Sequence, residues 1–153
     1  METTFRVAEA ADADALLAMM RELNAHEGMA FDEPKARAAL AQLFADERFG
    51  VAHLILSGGE TAGYLVVTFG FSIEFGGRDA FVDELFVREE FRGRGVGKAA
   101  LRRAEEVCRA RGIRALHLEV ERANERAQTL YRKSGYLDHD RYLLTKWLSR
   151  SDE

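Results

Sequence analysis

The stretch Arg92-Gly93-Arg94-Gly95-Val96-Gly97-Lys98 joins a strand-like run, Ala80 to Val87, to a helix-like run, Val96 to Arg111, that stops at Gly112. A second strand-like run, Ala115 to Val120, comes next. Strand, helix and strand in close succession make the two strands parallel neighbours, with the helix crossing one face of the sheet. The glycine turn bares backbone amides at the positive end of the helix, and Arg92, Arg94 and Lys98 add charge, a setting that suits a phosphate. It is not a Walker loop, because Ala99 rather than Ser or Thr follows Lys98. Nor do its glycines, spaced G-x-G-x-G, match the dinucleotide fingerprint G-x-G-x-x-G. What remains is Arg-x-x-Gly-x-Gly, carried by Arg92, Gly95 and Gly97; an ordinary Gly/Arg turn ahead of a helix is the plain alternative.

Upstream, Phe5 to Ala8 reads as a strand, and Asp12 or Asp14 caps a helix carrying Leu16, Leu17, Met20 and Leu23. His26 to Asp32 reads as a loop, and a second helix follows Pro34 with Ala36, Leu40, Leu43 and Phe44 on one face. Gly50 to Leu56 and Thr61 to Phe71 form a hairpin about Ser57-Gly58-Gly59-Glu60, and Gly76-Gly77 turns the chain again. Asn124 opens a short helix that ends before Gly135; Tyr136 and Tyr142 to Leu148 supply final strands. No linker or repeat interrupts the pattern. The expectation is a single domain over residues 1–153, mixed α/β (α+β), with a twisted mixed sheet of about six to seven strands and about four helices.

The net charge is −4. Nucleic-acid binding wants a basic face rather than one basic loop, so no nucleic-acid partner is expected. Acids gather at Glu22, Glu27, Asp32 and Glu33, and again at Glu74, Asp79, Asp83 and Glu84. They are either a solvated surface or a preference for cationic ligands. A lone cysteine, Cys108, at helical spacing with Ala104 and Val107, reads as a buried thiol and fits a reducing cytoplasm. Met1 to Arg6 has no cationic-then-apolar leader, and no run reaches the ~20 apolar residues of a bilayer span, so no membrane role is expected. No Cys/His/Asp grouping has metal-ligand spacing, so no metal is expected either.

Further on, Leu118-Glu119-Val120-Glu121 leads through Asn124 to Ala127-x-x-Leu130-Tyr131 and then Gly135-Tyr136. A strand ending in acid, this helix and the Arg-x-x-Gly-x-Gly loop, in this order, resemble the GCN5-related N-acetyltransferase (GNAT) family. Residues 80 to 136 carry the resemblance strongly, the N-terminal half only by element order. The resemblance implies splayed central strands with acetyl-coenzyme A in the gap. Leu85, Phe86 and Val87 would pair with its pantetheine arm as an added strand does. Arg92, Gly93, Arg94, Gly95, Val96, Gly97 and Lys98 would hold its pyrophosphate, and Asn124, Ala127 and Tyr131 would face it. Tyr131 would protonate the departing thiolate, and a homodimer would form through Tyr142 to Leu148, including Trp147. Taken alone, Asn124 suits a helix N-cap and Tyr131 a core position.

Amide formation needs a neutral amine, yet an alkylammonium of pKa near 10.4 is only ~0.04% neutral at pH 7. A carboxylate that takes the proton is typically worth ~10²–10⁴-fold. Glu119 resembles the base of ribosomal-protein alanine N-acetyltransferases, and Asp83 an acid of the polyamine branch. Alternation turns Glu84 to the face opposite Asp83. His26, Glu27, Phe31 and Asp83 are expected to line the acceptor site, whereas His117 packs inward. The expected activity is direct, ternary-complex transfer from acetyl-coenzyme A to a primary amine, either small and polyamine-like or on lysine or a peptide. A non-catalytic acyl-coenzyme A sensor is the alternative.

Overall fold

The computed structural model describes residues 2–149. In chain order these form β1 (Thr3–Val7), α1 (Ala13–His26), α2 (Glu33–Ala45), β2 (Gly50–Ser57), β3 (Glu60–Ser72), β4 (Gly77–Val87), α3 (Val96–Ala110), β5 (Ala115–His117) and α4 (Glu125–Lys133). Local chemistry sets several ends. Asp32 caps α2, its side chain accepting from the Lys35 amide at 3.2 Å, and Pro34 lies in the first turn where no N–H is missed. Asp12 precedes α1 but spends its carboxylate on the Arg6 guanidinium and the Glu9 amide.

The strands form one open sheet in the order β1-β2-β3-β4-β5. The first four run antiparallel, and β5 lies parallel to β4. Apolar residues of α3 at helical spacing (Val96, Ala100, Leu101, Ala104, Cys108) pack on Ile55, Leu65, Val67, Ala80 and Val82. The other face carries Leu54, Tyr64, Val66 and Phe86 beneath Leu16, Leu17, Met19 and Met20 of α1 and Leu40 of α2. Burial pushes the Cys108 thiol above its ordinary pKa, which makes it an inert core group. No helix among the described residues is long and apolar enough to cross a membrane.

The fold class is as expected, but with five strands rather than six to seven. Leu118 to Val120 leave the ladder, and among the described residues Tyr136 and Tyr142 to Leu148 form no strand. A strand exists only by pairing, and Tyr142, Leu143, Leu144 and Leu148 stand largely exposed beside no partner. Side chains tether this segment instead: Arg141 pairs with Glu74, and the Lys35 ammonium sits 4.3 Å from the Trp147 ring centre.

Candidate active site

Strands β4 and β5 pair only at Asp79/Ala115, Ala80/Leu116 and Phe81/His117. Beyond that point they part. The cause lies in β4: Val67 pairs with Val82 and Val66 with Glu84, so Asp83 is an extra residue with no partner on β3. Such a bulge bends a strand and resets its alternation. Before it, Ala80 and Val82 face α3; after it, Leu85 does so. Both Asp83 and Glu84 therefore lie on the α1/α2 face. This corrects the simple alternation that separated them.

The same reset sorts the backbone donors along the gap. The Arg88 amide donates to the Ala62 carbonyl at 2.7 Å. By antiparallel alternation the Phe86 amide also faces β3, while the amides of Leu85 and Val87 face the gap. The Val87 carbonyl accepts from Arg92 Nε at 2.8 Å, which ties the glycine loop to the end of β4. In that loop Gly93 and Gly95 hold φ of 74° and 80°, a left-handed region that side-chain-bearing residues rarely adopt. The first helical bond of α3 runs from the Ala99 amide to the Gly95 carbonyl, so the amides of residues 93–98 lie ahead of the ladder. Arg94 stacks over Phe91, 5.7 Å from its ring centre. Amides ahead of the helical ladder and three basic side chains thus share this loop, a setting that suits an anion.

Acids collect at the bulge. The Tyr64 hydroxyl donates to Glu84 Oε1 at 2.7 Å. Burial, and then the neighbouring charges of Asp83 and Glu27, push the Glu84 carboxyl above the ordinary range, against the Tyr64 hydrogen bond that lowers it. Asp83 reaches solvent at the bulge, yet the protein atoms crowding it push its carboxyl up as well. Glu27, just past α1, also acts on Tyr131, whose phenol is pushed up first by burial and then by that charge. Tyr131 packs against the α3 core and lies edge-on to Tyr136 at 6.1 Å. One residue earlier on α4, Leu130 approaches Gly97, where an added Cβ would lie 3.6 Å from it. Asn124 caps α4, its side chain accepting from the Ala127 amide at 3.1 Å.

Among the described residues, the side chains of the remaining candidates make no hydrogen bond or ion pair with this group. Glu119 is exposed two residues beyond the end of β5. His26 ends α1 exposed, and Phe31 packs on the α1/α2 core under the Arg21 guanidinium. His117 packs inward as expected, 3.1 Å from Asp79 and against the rings of Phe75 and Phe81. A cavity of about 410 Å³, lined by Arg48, Phe69, Arg78 and Arg111, lies at the other end of β4. No group of three His, Cys, Asp or Glu side chains among the described residues is placed to hold a metal. Sequence reasoning sets Glu84 aside on alternation and does not single out Tyr64. The available signal was two consecutive acids inside an otherwise apolar strand, a pattern that strict alternation accommodates poorly.

A model of the acetyltransferase (GNAT) family matches residues 16–136. Thialysine N-epsilon-acetyltransferase of Bos taurus is 31% identical over 141 residues, covering 87% of this chain and 83% of that protein. Its namesake in Mus musculus is 29% identical over 144 residues, covering 89% and 85%. Among solved structures, the integron cassette protein HFX_CASS3 from the mobile metagenome of Cole Harbour Salt Marsh is similar, with a TM-score of 0.83 at 35% identity. That likeness covers 95% of this chain and 90% of the other.

Proposed function

The chain belongs to the GNAT family of acetyltransferases and is an acyltransferase, and on that premise we propose that it acetylates a small cationic primary amine. One observation carries the choice of acceptor: Asp83 and Glu84, side by side at the bulge, have no basic side chain among the groups that shift them. An acceptor ammonium would supply the missing charge. Thialysine, after which the Bos taurus and Mus musculus relatives are named, carries such an amine. A lysine or peptide amine is the second form of acceptor.

Acetyl-coenzyme A is the co-substrate in this reading. The amides of residues 93–98, with Arg92, Arg94 and Lys98, receive its pyrophosphate, and those of Leu85 and Val87 receive the pantetheine arm. Asn124 and Ala127 border the same arm from the start of α4. Asp83 takes the proton of the acceptor ammonium, directly or through one water, and Glu27 and Phe31 border the acceptor, with His26 at the rim. The freed nitrogen attacks the thioester carbonyl at the end of that arm, where the Leu85 amide, the gap-facing donor nearer Asp83, stabilises the oxyanion. As the carbon–sulfur bond breaks, Tyr131 gives its proton to the thiolate; a phenol pushed above its ordinary pKa keeps that proton until then. Glu119 is the alternative base; both acids are exposed, and the choice of Asp83 rests on its place at the bulge beside Glu84 and on the raised pKa of its carboxyl.

The reading further takes residues 1–153 as one acetyltransferase domain, cytoplasmic and homodimeric. Support for a partner surface comes from Leu143, Leu144 and Leu148, which stand 73%, 90% and 92% exposed. The test is thiol release from acetyl-coenzyme A against polyamines, amino acids, lysine peptides and free N-terminal peptides. Release stimulated most by small cationic amines is expected. Cofactor binding with no stimulated release across the panel would instead favour the acyl-coenzyme A sensor.

A further inference from the structure

We propose that Tyr64 is a positioning residue, whose buried hydroxyl holds Glu84 as a fixed anionic anchor for the acceptor's ammonium group beside Asp83; this rests on the acyl-transfer reading above. Tyr64 is 0% exposed. It pairs with Phe86 across the β3–β4 ladder while Val66 pairs with Glu84, so Tyr64 and Glu84 are diagonal neighbours on one face. The ring packs against Phe86 with 6.0 Å between centres, which fixes where the hydroxyl can point. That hydroxyl donates to Glu84 Oε1 at 2.7 Å, a charge-assisted bond that leaves the second carboxylate oxygen to receive a cation.

Phenylalanine would fill nearly the same volume, so packing alone does not call for a tyrosine here. A buried hydroxyl needs a partner, and Tyr64 has found one in a carboxylate rather than a backbone carbonyl. Three groups bear on the Glu84 charge: Tyr64 from β3, Asp83 beside it on β4, and Glu27 beyond α1. The two carboxylates and burial oppose ionisation; of the three groups, the Tyr64 hydroxyl alone favours it. Without it, Glu84 would share protons with Asp83 more readily and rotate more freely. The anchor would lose both charge and aim.

The experiment compares the full-chain wild type, Tyr64→Phe and Glu84→Gln. Side-chain carboxyl ¹³C resonances are followed against pH, and the signal lost in Glu84→Gln assigns Glu84. Tyr64→Phe is expected to raise the Glu84 midpoint by about one pH unit and the acceptor KM by about tenfold, in line with one charge-assisted hydrogen bond. The KM for acetyl-coenzyme A should stay put and kcat should change less than about threefold. Glu84→Gln keeps the shape and an acceptor for Tyr64, and should reproduce the rise in acceptor KM. An unmoved Glu84 midpoint in folded Tyr64→Phe overturns the proposal, as does a wild-type acceptor KM in either variant. Should Tyr64→Phe fail to fold, Glu84→Gln decides. If the wild type acetylates no amine, the acyl-transfer reading fails by itself, while the midpoint still reports whether Tyr64 holds the Glu84 charge.

Discussion

The two ends of β4 handle their acids in opposite ways. At the end paired with β5, Asp79 is 8% exposed and lies 3.1 Å from His117 Nε2. Its surroundings are shaped to it: an added Cβ at Gly70 would come within 2.9 Å of Asp79 Oδ1, so a larger residue there would crowd the carboxylate. At the splayed end, Asp83 and Glu84 crowd together with Glu27 and with no cationic partner among the groups that shift them. A buried acid that serves only the fold is satisfied within the chain, since an unpaired one is costly. Acids left short of positive charge raise their own pKa and store an attraction for a cation from outside. On the proposed reading, the contrast separates a structural pair from a binding pair within eleven residues of one strand.

The sharpest way to break this contrast is Asp83→Asn. Loss of the base should lower kcat/KM for the acceptor about 10²–10³-fold. At the same time removal of a crowded charge should leave melting unchanged or raise it by about a degree or two. The wild-type activity should fall as pH drops through a midpoint above that of an ordinary carboxylate, because Asp83 is pushed up and must be ionised to accept a proton. Loss of activity in Glu119→Gln with none in Asp83→Asn would transfer the role of base to Glu119. Steady-state kinetics and thermal melting of the two variants read both quantities.

A smaller effect is expected at Tyr131. Tyr131→Phe should reduce kcat about 10–100-fold with little change in acetyl-coenzyme A affinity, checked by turnover and by calorimetric binding. Equal turnover would remove the phenol from the chemistry and leave it as a core residue of α4. Least of all should activity respond at the paired end. His117→Ala should keep kcat/KM within about twofold yet cost about 1–3 kcal/mol of stability in denaturant unfolding, because Asp79 loses its partner. A large catalytic loss there would erase the distinction between the two ends.

Much of the fold was legible because its signals are local. The hairpin glycines, the Asn124 cap and the spacing of Val96, Ala100, Leu101 and Ala104 each act within a few residues. The C-terminal run was misjudged for the opposite reason. Tyr142 to Leu148 has the composition of a strand, but no neighbouring strand lies beside it among the described residues to receive its hydrogen bonds. The exposure of Glu119 is likewise set by a distant feature, the early parting of β5 from β4.

Chain order, turn chemistry and the glycine loop at residues 92–98 thus follow from the amino-acid sequence alone, since glycine at positive φ and a helix N-terminus need no distant partner. The shared face of Asp83 and Glu84 does not. It depends on a one-residue slip of β4 against Val66 and Val67 of β3, and register belongs to two strands together rather than to either one. That slip also turns the Leu85 and Val87 amides into the gap and brings Glu84 to the Tyr64 hydroxyl. Only the folded sheet could decide which acids would be left unpaired, because charge compensation in an interior is settled by neighbours far away in the chain.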